Sequence, residues 1–389
     1  MDSFRQQLLV TLLVAALAPL IAELRLFRPR IPVVVVEIAL GILIGPHALN
    51  LARPDGMINA LGDLGLTFLL FLVGLEIDIG EIKGRPITLA VSGWLLSLAL
   101  ALVGALVFSL IGLFRAPPLW VAVALSTTAL GIIAPILRDR GELDSHFGHY
   151  LFAAATLGEM GPLIAISLLL FPTHAPLLHS LLMAAFVAIS LAAAYLILWA
   201  RSSRLLHRVP HLLHGSGQLA VRLAIVLQTL LVVLAEQFGL NVVIGAFAAG
   251  MMVALIVQDE GGALLRQKLD AIGFGFLIPI FFVVAGMKFD VRALWASPLV
   301  PVQLVVLLAS LVLVRGAPAL LYRRDLSIRE RLAFALYSAT GLPLIVVITE
   351  LGVSTGLMQP DRAALLVSAG MISVLVFPLA AERWRNGAG

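Results

Sequence analysis

The sequence predicts an all-α polytopic membrane protein of about 13 transmembrane helices, built as two inverted six-helix repeats with crossed broken helices. Three observations point there. Apolar stretches run almost from end to end, a set of small and polar residues recurs at one fixed offset, and two apolar stretches are interrupted by Ser, Thr, Gly and Pro at matching points of that recurrence.

Hydrophobic residues make up 61% of the chain and charged ones 12%, about half the charged share of a soluble globular protein. Crossing a hydrocarbon core of about 30 Å takes roughly 20 apolar residues. Candidate spans fall at 6–25, 33–48, 60–77, 86–113, 118–138, 148–171, 176–199, 217–238, 240–257, 271–287, 297–322, 330–349 and 362–382. A β-barrel would show short alternating strands, whereas these runs are long and continuous. The net charge of +4 does not point to nucleic acid, because the basic residues sit in short loops between apolar runs. The absence of cysteine excludes disulfides, thiolate metal sites and cysteine chemistry. The run after Met1–Arg5 shows no cleavage site and reads as a first span rather than a signal peptide. The basic loop at 200–216 carries Arg201, Arg204, His207, Arg208, His211 and His214; a metal site is one reading, and a loop lying on anionic headgroups is the plainer one.

Alternating loops divide the basic residues unevenly. One side holds six (Arg5, Arg53, Arg115, Lys288, Arg292 and Arg362) and the other eighteen, with Arg222 and Arg315 left inside apolar runs. The positive-inside rule makes the richer side cytoplasmic, with the N-terminus outside and the C-terminus inside, in the plasma (cell inner) membrane.

The recurrence has an offset of 212 residues: FLLFLVGLEID ending at Asp78 resembles PIFFVVAGMKFD ending at Asp290, and Gly74 pairs with Gly286, Ser126–Leu130 with Ser338–Leu342, Gly104 with Gly316 and Gly158 with Gly370. An offset of seven spans turns the second copy upside down, the design of secondary transporters whose site lies at mid-membrane. The predicted organisation is a first repeat at 1–175, a linker helix at 176–210 and a second repeat at 211–389, forming a single membrane domain.

Span 118–138 carries Ser126, Thr127, Thr128 and Ala129 at its centre, and span 330–349 carries Ser338, Thr340, Gly341 and Pro343 at the same depth. Ser, Thr and Gly loosen a helix and Pro removes a backbone donor. Unwound backbone at this depth is tolerated only where it is buried in protein or lines a cavity, so the matched pair predicts crossed half-helices aiming their terminal partial charges at one point. The plainer alternative is small residues that allow close packing.

Two ionisable residues lie deep in apolar runs, Glu159 and Arg315. By their distance from the cytoplasmic ends of their spans they sit about 16 Å and about 10 Å deep. An intramembrane carboxylate marks a transport path, unless it is a protonated group hydrogen-bonded in the bundle. Arg315 keeps its charge and needs partners; pairing with Glu159 is the expectation. Arg222 reads as snorkelling or pairing with a lipid phosphate, Glu37 and Asp63 as interfacial or, equally, functional, and Glu76, Asp78 and Glu81 as a solvated loop. The scattered histidines make no metal set.

These strings resemble the Kef-type monovalent cation:proton antiporters, which share the NhaA-like fold. VVEIALGILIGP, FLLFLVGLEID, STTAL, GAFAAGMM and IPIFFVVAGMKFD carry the resemblance across essentially the whole chain in order and spacing. It implies that Glu159 occupies the family's essential carboxylate position, where members read Asp-Asp, Gln-Asp or Asn-Asp, and that Arg315 stands where members carry Lys or Arg. Here the pair reads Gly158-Glu159. The resemblance further implies exchange of Na⁺, Li⁺ or K⁺ for protons, with one carboxylate and one fixed cation favouring electroneutral exchange. Glu159 with Ser126, Thr127 or Thr128 would hold the transported ion. No cofactor is implied, nor any enzymatic activity. The implied partners are membrane lipids and a second copy in a homodimer; since the chain ends just after its last span, the family's nucleotide-binding regulation is expected to be either absent or on another polypeptide, and nucleic acid is not among the partners. Two other classes fit less well: a sodium-coupled organic-anion symporter of related fold and a non-transporting sensor subunit.

Overall fold

In the computed structural model every regular element is helical, and no strand occurs among the described residues, which are 2–23, 32–76, 84–169 apart from 115 and 144, scattered positions within 181–195, 218–256 apart from 239 and 241, 260–289, and 298–386. The expected linker span and the basic loop at 200–216 lie largely outside them. Eight helices among the described residues are long and apolar enough to cross a membrane, and three shorter apolar ones accompany them.

The chain divides into two compact units, each drawing on stretches from before and after the expected linker. One unit takes residues 1–54, 82–166 and 282–389. It contains α1 (Asp2–Glu23), α2 (Val33–Ile44), α4 (Arg85–Leu110), α5 (Pro118–Leu125), α6 (Leu130–Asp139), nearly all of α7 (His146–Leu169), most of α11 (Ile278–Lys288), α12 (Val300–Gly316), α13 (Ile328–Ser338), α14 (Pro343–Ser354) and α15 (Pro360–Asn386). α12 tightens into a 3₁₀ turn over Ala317–Tyr322. Proline at the first helical position opens α5 and α14, where its missing N–H is no loss. Ser327 opens α13 through a reciprocal capping box with Glu330.

One end of this unit is packed by Ile133, Leu137, Leu151, Tyr322, Phe334 and Tyr337. Ion pairs tie the same end together: Arg85 with Asp325 at 2.6 Å, Arg140 with Glu382 at 2.8 Å, and Arg385 with Glu142. Elsewhere two backbones come almost into contact. A Cβ on Gly41 of α2 would strike the Val283 carbonyl and lie 3.0 Å from the Gly286 Cα of α11, and one on Gly45 would lie 2.9 Å from the Met287 Cα. Only glycine permits this approach. Large apolar side chains on α1 and α4 face outward, among them Leu9, Leu20, Leu95 and Val103; such faces suit lipid rather than water.

The other unit takes 55–81 and 167–281 and holds α3 (Gly56–Glu76), α8 (Leu219–Gln237), α9 (Val242–Ile256) and α10 (Glu260–Ile272). α3 and α9 approach through Gly74 and Gly250 as α2 and α11 do through Gly41 and Gly286. A π-helical turn, Gly273–Leu277, follows α10. The sequence reading began this span at 271; the helix starts at Glu260, because Leu265 and Leu269 recur on one face of a charged but amphipathic segment.

Candidate functional site

Two interrupted helices build the site. Helix α5 stops at Leu125 and α6 resumes at Leu130; α13 stops at Ser338 and α14 resumes at Pro343. The intervening segments, Ser126-Thr127-Thr128-Ala129 and Ala339-Thr340-Gly341-Leu342, are the ones the sequence singled out. Local chemistry explains the breaks. The hydroxyls of Ser126 and Thr127 donate back to the Val123 and Ala124 carbonyls at 2.9 Å, satisfying acceptors that another helical turn would have used. Pro343 brings no N–H to continue a helix from upstream.

The breaks satisfy each other. Ala129 N–H donates to the Thr340 carbonyl at 2.8 Å, and Thr128 Oγ1 donates to the Ser338 carbonyl at 2.5 Å. A Cβ on Gly341 would lie 2.8 Å from Thr127 Oγ1, so the crossing leaves no room for a side chain there. In a hydrocarbon-level interior this exchange replaces the water that unwound backbone otherwise requires.

Helix α7 locks the first break from one side. Thr128 N–H donates to the Gly158 carbonyl at 2.9 Å, and Leu130 N–H donates to Glu159 Oε2 at 3.2 Å. Leu130 opens α6, so the Glu159 carboxyl sits at a helix N-terminus carrying about half a positive elementary charge. Glu159 is 7% exposed, Thr128 1% and Arg315 3%, which places both ionisable groups in the interior rather than against lipid.

Arg315, in the last turn of α12, fans its donors across four neutral oxygens. Nε donates to Thr128 Oγ1 at 2.8 Å and to the Ser338 carbonyl at 3.3 Å, Nη1 to Ser97 Oγ at 3.1 Å, and Nη2 to the Ala154 carbonyl at 3.3 Å. A full positive charge is thereby fixed beside the crossing. Thr128 joins the two charged residues: it accepts from Arg315, and its backbone bonds the residue before Glu159.

Gly158 follows from the same packing. A Cβ there would lie 2.5 Å from Arg315 Nη2 and 2.7 Å from Thr128 Cβ and Oγ1. The guanidinium occupies the space in which a polar side chain before the acid would stand.

Several participants were not legible beforehand. Ser97 on α4 and the Ala154 carbonyl on α7 hold Arg315. Ser373 on α15 accepts from Gly341 N–H at 3.2 Å and donates to the Gly370 carbonyl at 2.7 Å, pinning the second break. The only sequence signal for the two serines is a lone hydroxyl in an apolar span. Glu37, for which the sequence leaves interfacial placement and function equally open, is 4% exposed within α2. Thr340 turns its hydroxyl back to the Leu336 carbonyl at 3.2 Å, and Ser338 Oγ is buried with no hydrogen-bond partner among the described residues. No cluster of three His, Asp or Glu side chains suited to a resident metal occurs among the described residues. The site therefore offers a buried carboxyl at a helix terminus, a fixed guanidinium, and several hydroxyl and carbonyl oxygens at two unwound crossings.

Comparison with known proteins gives a consistent picture. The family model described as "Sodium/hydrogen exchanger, transmembrane" matches residues 12–384. YjbQ of Bacillus subtilis (strain 168) is 28% identical over 390 residues, covering 96% of this chain and 62% of YjbQ. The glutathione-regulated potassium-efflux system protein KefC of Escherichia coli O81 (strain ED1a) is 26% identical over 357 residues, covering 87% of this chain and 54% of KefC. The chain thus spans little more than half the length of these two relatives. The solved structure of the sodium proton antiporter MjNhaP1 from Methanocaldococcus jannaschii superposes with a TM-score of 0.64 at 19% identity, covering 98% of this chain and 97% of that one. That likeness establishes the same fold.

Proposed function

The chain belongs to the sodium/hydrogen exchanger family, and from that premise we propose that it is a secondary active antiporter exchanging Na⁺, Li⁺ or K⁺ for protons by alternating access, electroneutrally. The observation that carries this reading is the carboxyl of Glu159, buried at the N-terminus of α6 where two interrupted helices cross. A carboxyl so placed holds either a proton or a cation, never both, and competition at one site couples the two fluxes.

Deprotonated Glu159 supplies the charged oxygens for the ion, and Thr128, with the oxygens of Ser126 and Thr127 and the freed carbonyls of both breaks, supplies neutral ones. Ser338 Oγ is a further candidate, since its own hydrogen-bonding capacity is unused. Arg315 compensates the charge of Glu159, through Thr128 and Gly158 and by direct pairing as the site loads and unloads. A single exchangeable carboxyl beside a permanent cation moves one proton for one monovalent ion, hence the electroneutral stoichiometry.

We further propose about 13 membrane-spanning helices in two inverted repeats. The environments of Gly74 and Gly286 support this: each presses on a carbonyl and, three residues on, a glycine Cα of a neighbouring helix, Phe247 and Gly250 for one and Ile38 and Gly41 for the other. The uneven split of basic loops supports a C-terminus on the cytoplasmic side of the plasma membrane. Homodimerisation, and regulation by a separate polypeptide, complete the proposal.

The test is proton movement in proteoliposomes on addition of Na⁺, Li⁺ or K⁺. Wild-type protein exchanges at least one of these ions, and Glu159→Gln, which keeps an acceptor for Leu130 N–H, does not. Full exchange by the Gln variant removes Glu159 from the mechanism.

A further inference from the structure

At the opposite end of the broken helix α13–α14 from the Arg85–Asp325 pair lies a cavity of about 290 Å³. Its walls come from α11, α14 and α15, with Ile38 of α2. They are mostly apolar, save Thr349, Ser354 and one charged couple: Lys288 of α11 and Glu350 of α14, which form an ion pair in the wall. This pair is not among the groups of the exchange site.

Three features give it a role. First, the cavity lies close to the crossing. Val346 and Val367 line it, and one helical turn along, about 6 Å, the same two helices meet the second break, where Val346 N–H bonds the Leu342 carbonyl and a Cβ on Gly370 would lie 2.9 Å from the Gly341 carbonyl. Second, Glu350 is only half used. Its Oε1 takes the Lys288 ammonium, while Oε2 is buried and accepts no hydrogen bond among the described residues. A buried carboxylate oxygen without a donor is costly and is satisfied by a cation. Third, the local field favours positive charge. Lys288 lies in the last turn of α11 and Glu350 stands four residues before the end of α14, so the negative ends of two helix dipoles converge there. The nearby Arg362 does not neutralise that field, because it turns to Asp361 at 3.3 Å and lies 5.6 Å over the Phe114 ring.

We propose that Glu350 is an access site for the transported monovalent cation, and that Lys288 holds it shut by occupying the carboxylate until an ion displaces the ammonium. This inference rests on the antiport reading and adds to it a second, one-sided ion contact outside the exchange site.

The experiment measures exchange by the full chain in right-side-out and everted membrane vesicles, so that Na⁺, Li⁺ or K⁺ reaches one face at a time, for wild type, Glu350→Gln and Lys288→Gln. Glu350→Gln raises KM for the ion about tenfold from the face where α14 ends, leaves KM from the other face unchanged, and keeps kcat within about twofold. Lys288→Gln lowers KM from that same face. Unchanged KM in both variants, or equal shifts from both faces, overturns the access site while leaving exchange at Glu159 intact. Should Glu350→Gln fail to accumulate, an unchanged KM in Lys288→Gln overturns it alone. A wild type silent in both vesicle types overturns the antiport reading, and the access site with it.

Discussion

Thr128 is the residue through which the fixed charge and the exchangeable one communicate, and Thr128→Val isolates that link. Valine matches threonine in shape and removes only Oγ1. Two hydrogen bonds disappear, the acceptor for Arg315 Nε at 2.8 Å and the donor to the Ser338 carbonyl at 2.5 Å. A bond to a charged group contributes about 1.5–3 kcal/mol, while a neutral interhelical bond in a membrane protein averages about 0.6 kcal/mol. Nε keeps the Ser338 carbonyl at 3.3 Å, which offsets part of the first loss, so the net destabilisation is about 1.5–3 kcal/mol. The assay is a double-mutant cycle of Thr128→Val with Arg315→Met, read as unfolding free energy in detergent micelles. If the threonine stabilises the fold mainly by holding the guanidinium, the two substitutions are strongly non-additive, with a coupling of at least about 1 kcal/mol. Additive effects, within about 0.5 kcal/mol, refute the idea that Thr128 and Arg315 act as a unit.

Gly158→Ala forces a methyl within 2.5 Å of Arg315 Nη2 and 2.7 Å of Thr128, so thermal unfolding of the purified variant shows a loss of about 1–3 kcal/mol; wild-type stability means the guanidinium does not fill that space. Asp325, outside the membrane-spanning segments, is held below the usual carboxylate range by its hydrogen bonds from Arg85, helped by Tyr150. A depressed carboxyl stabilises the fold above its unfolded value, about 3.9, and that contribution fades as pH falls through the lower folded one. Unfolding midpoints scanned downward from pH 6 accordingly fall more steeply for wild type below about pH 4 than for Asp325→Asn, and parallel curves contradict the assignment.

The sequence carried the two breaks because their cause is local: hydroxyls that cap their own helix at Ser126 and Thr127, and a proline that starts a new one at Pro343. It carried the burial of Glu159 and Arg315 because a charge within an apolar run has few other places to be. It did not carry the partners of Arg315. Ser97 and the Ala154 carbonyl lie 218 and 161 residues away, and nothing near either position marks it as a ligand for a guanidinium. Gly158 read as a missing polar residue, whereas its lack of a side chain is set by a contact from a different helix. Charge also hid one element: Arg266 and Lys268 make an amphipathic helix look like a loop.

The most direct measurement is proton release by the purified protein in weakly buffered detergent solution, titrated with Na⁺, Li⁺ and K⁺ at a pH where the site is protonated. Competition for one carboxyl predicts about one proton released per chain, saturating with the transported ion, and none from Glu159→Gln. Equal release from wild type and the Gln variant contradicts it, because the ion would then be displacing protons from some other group.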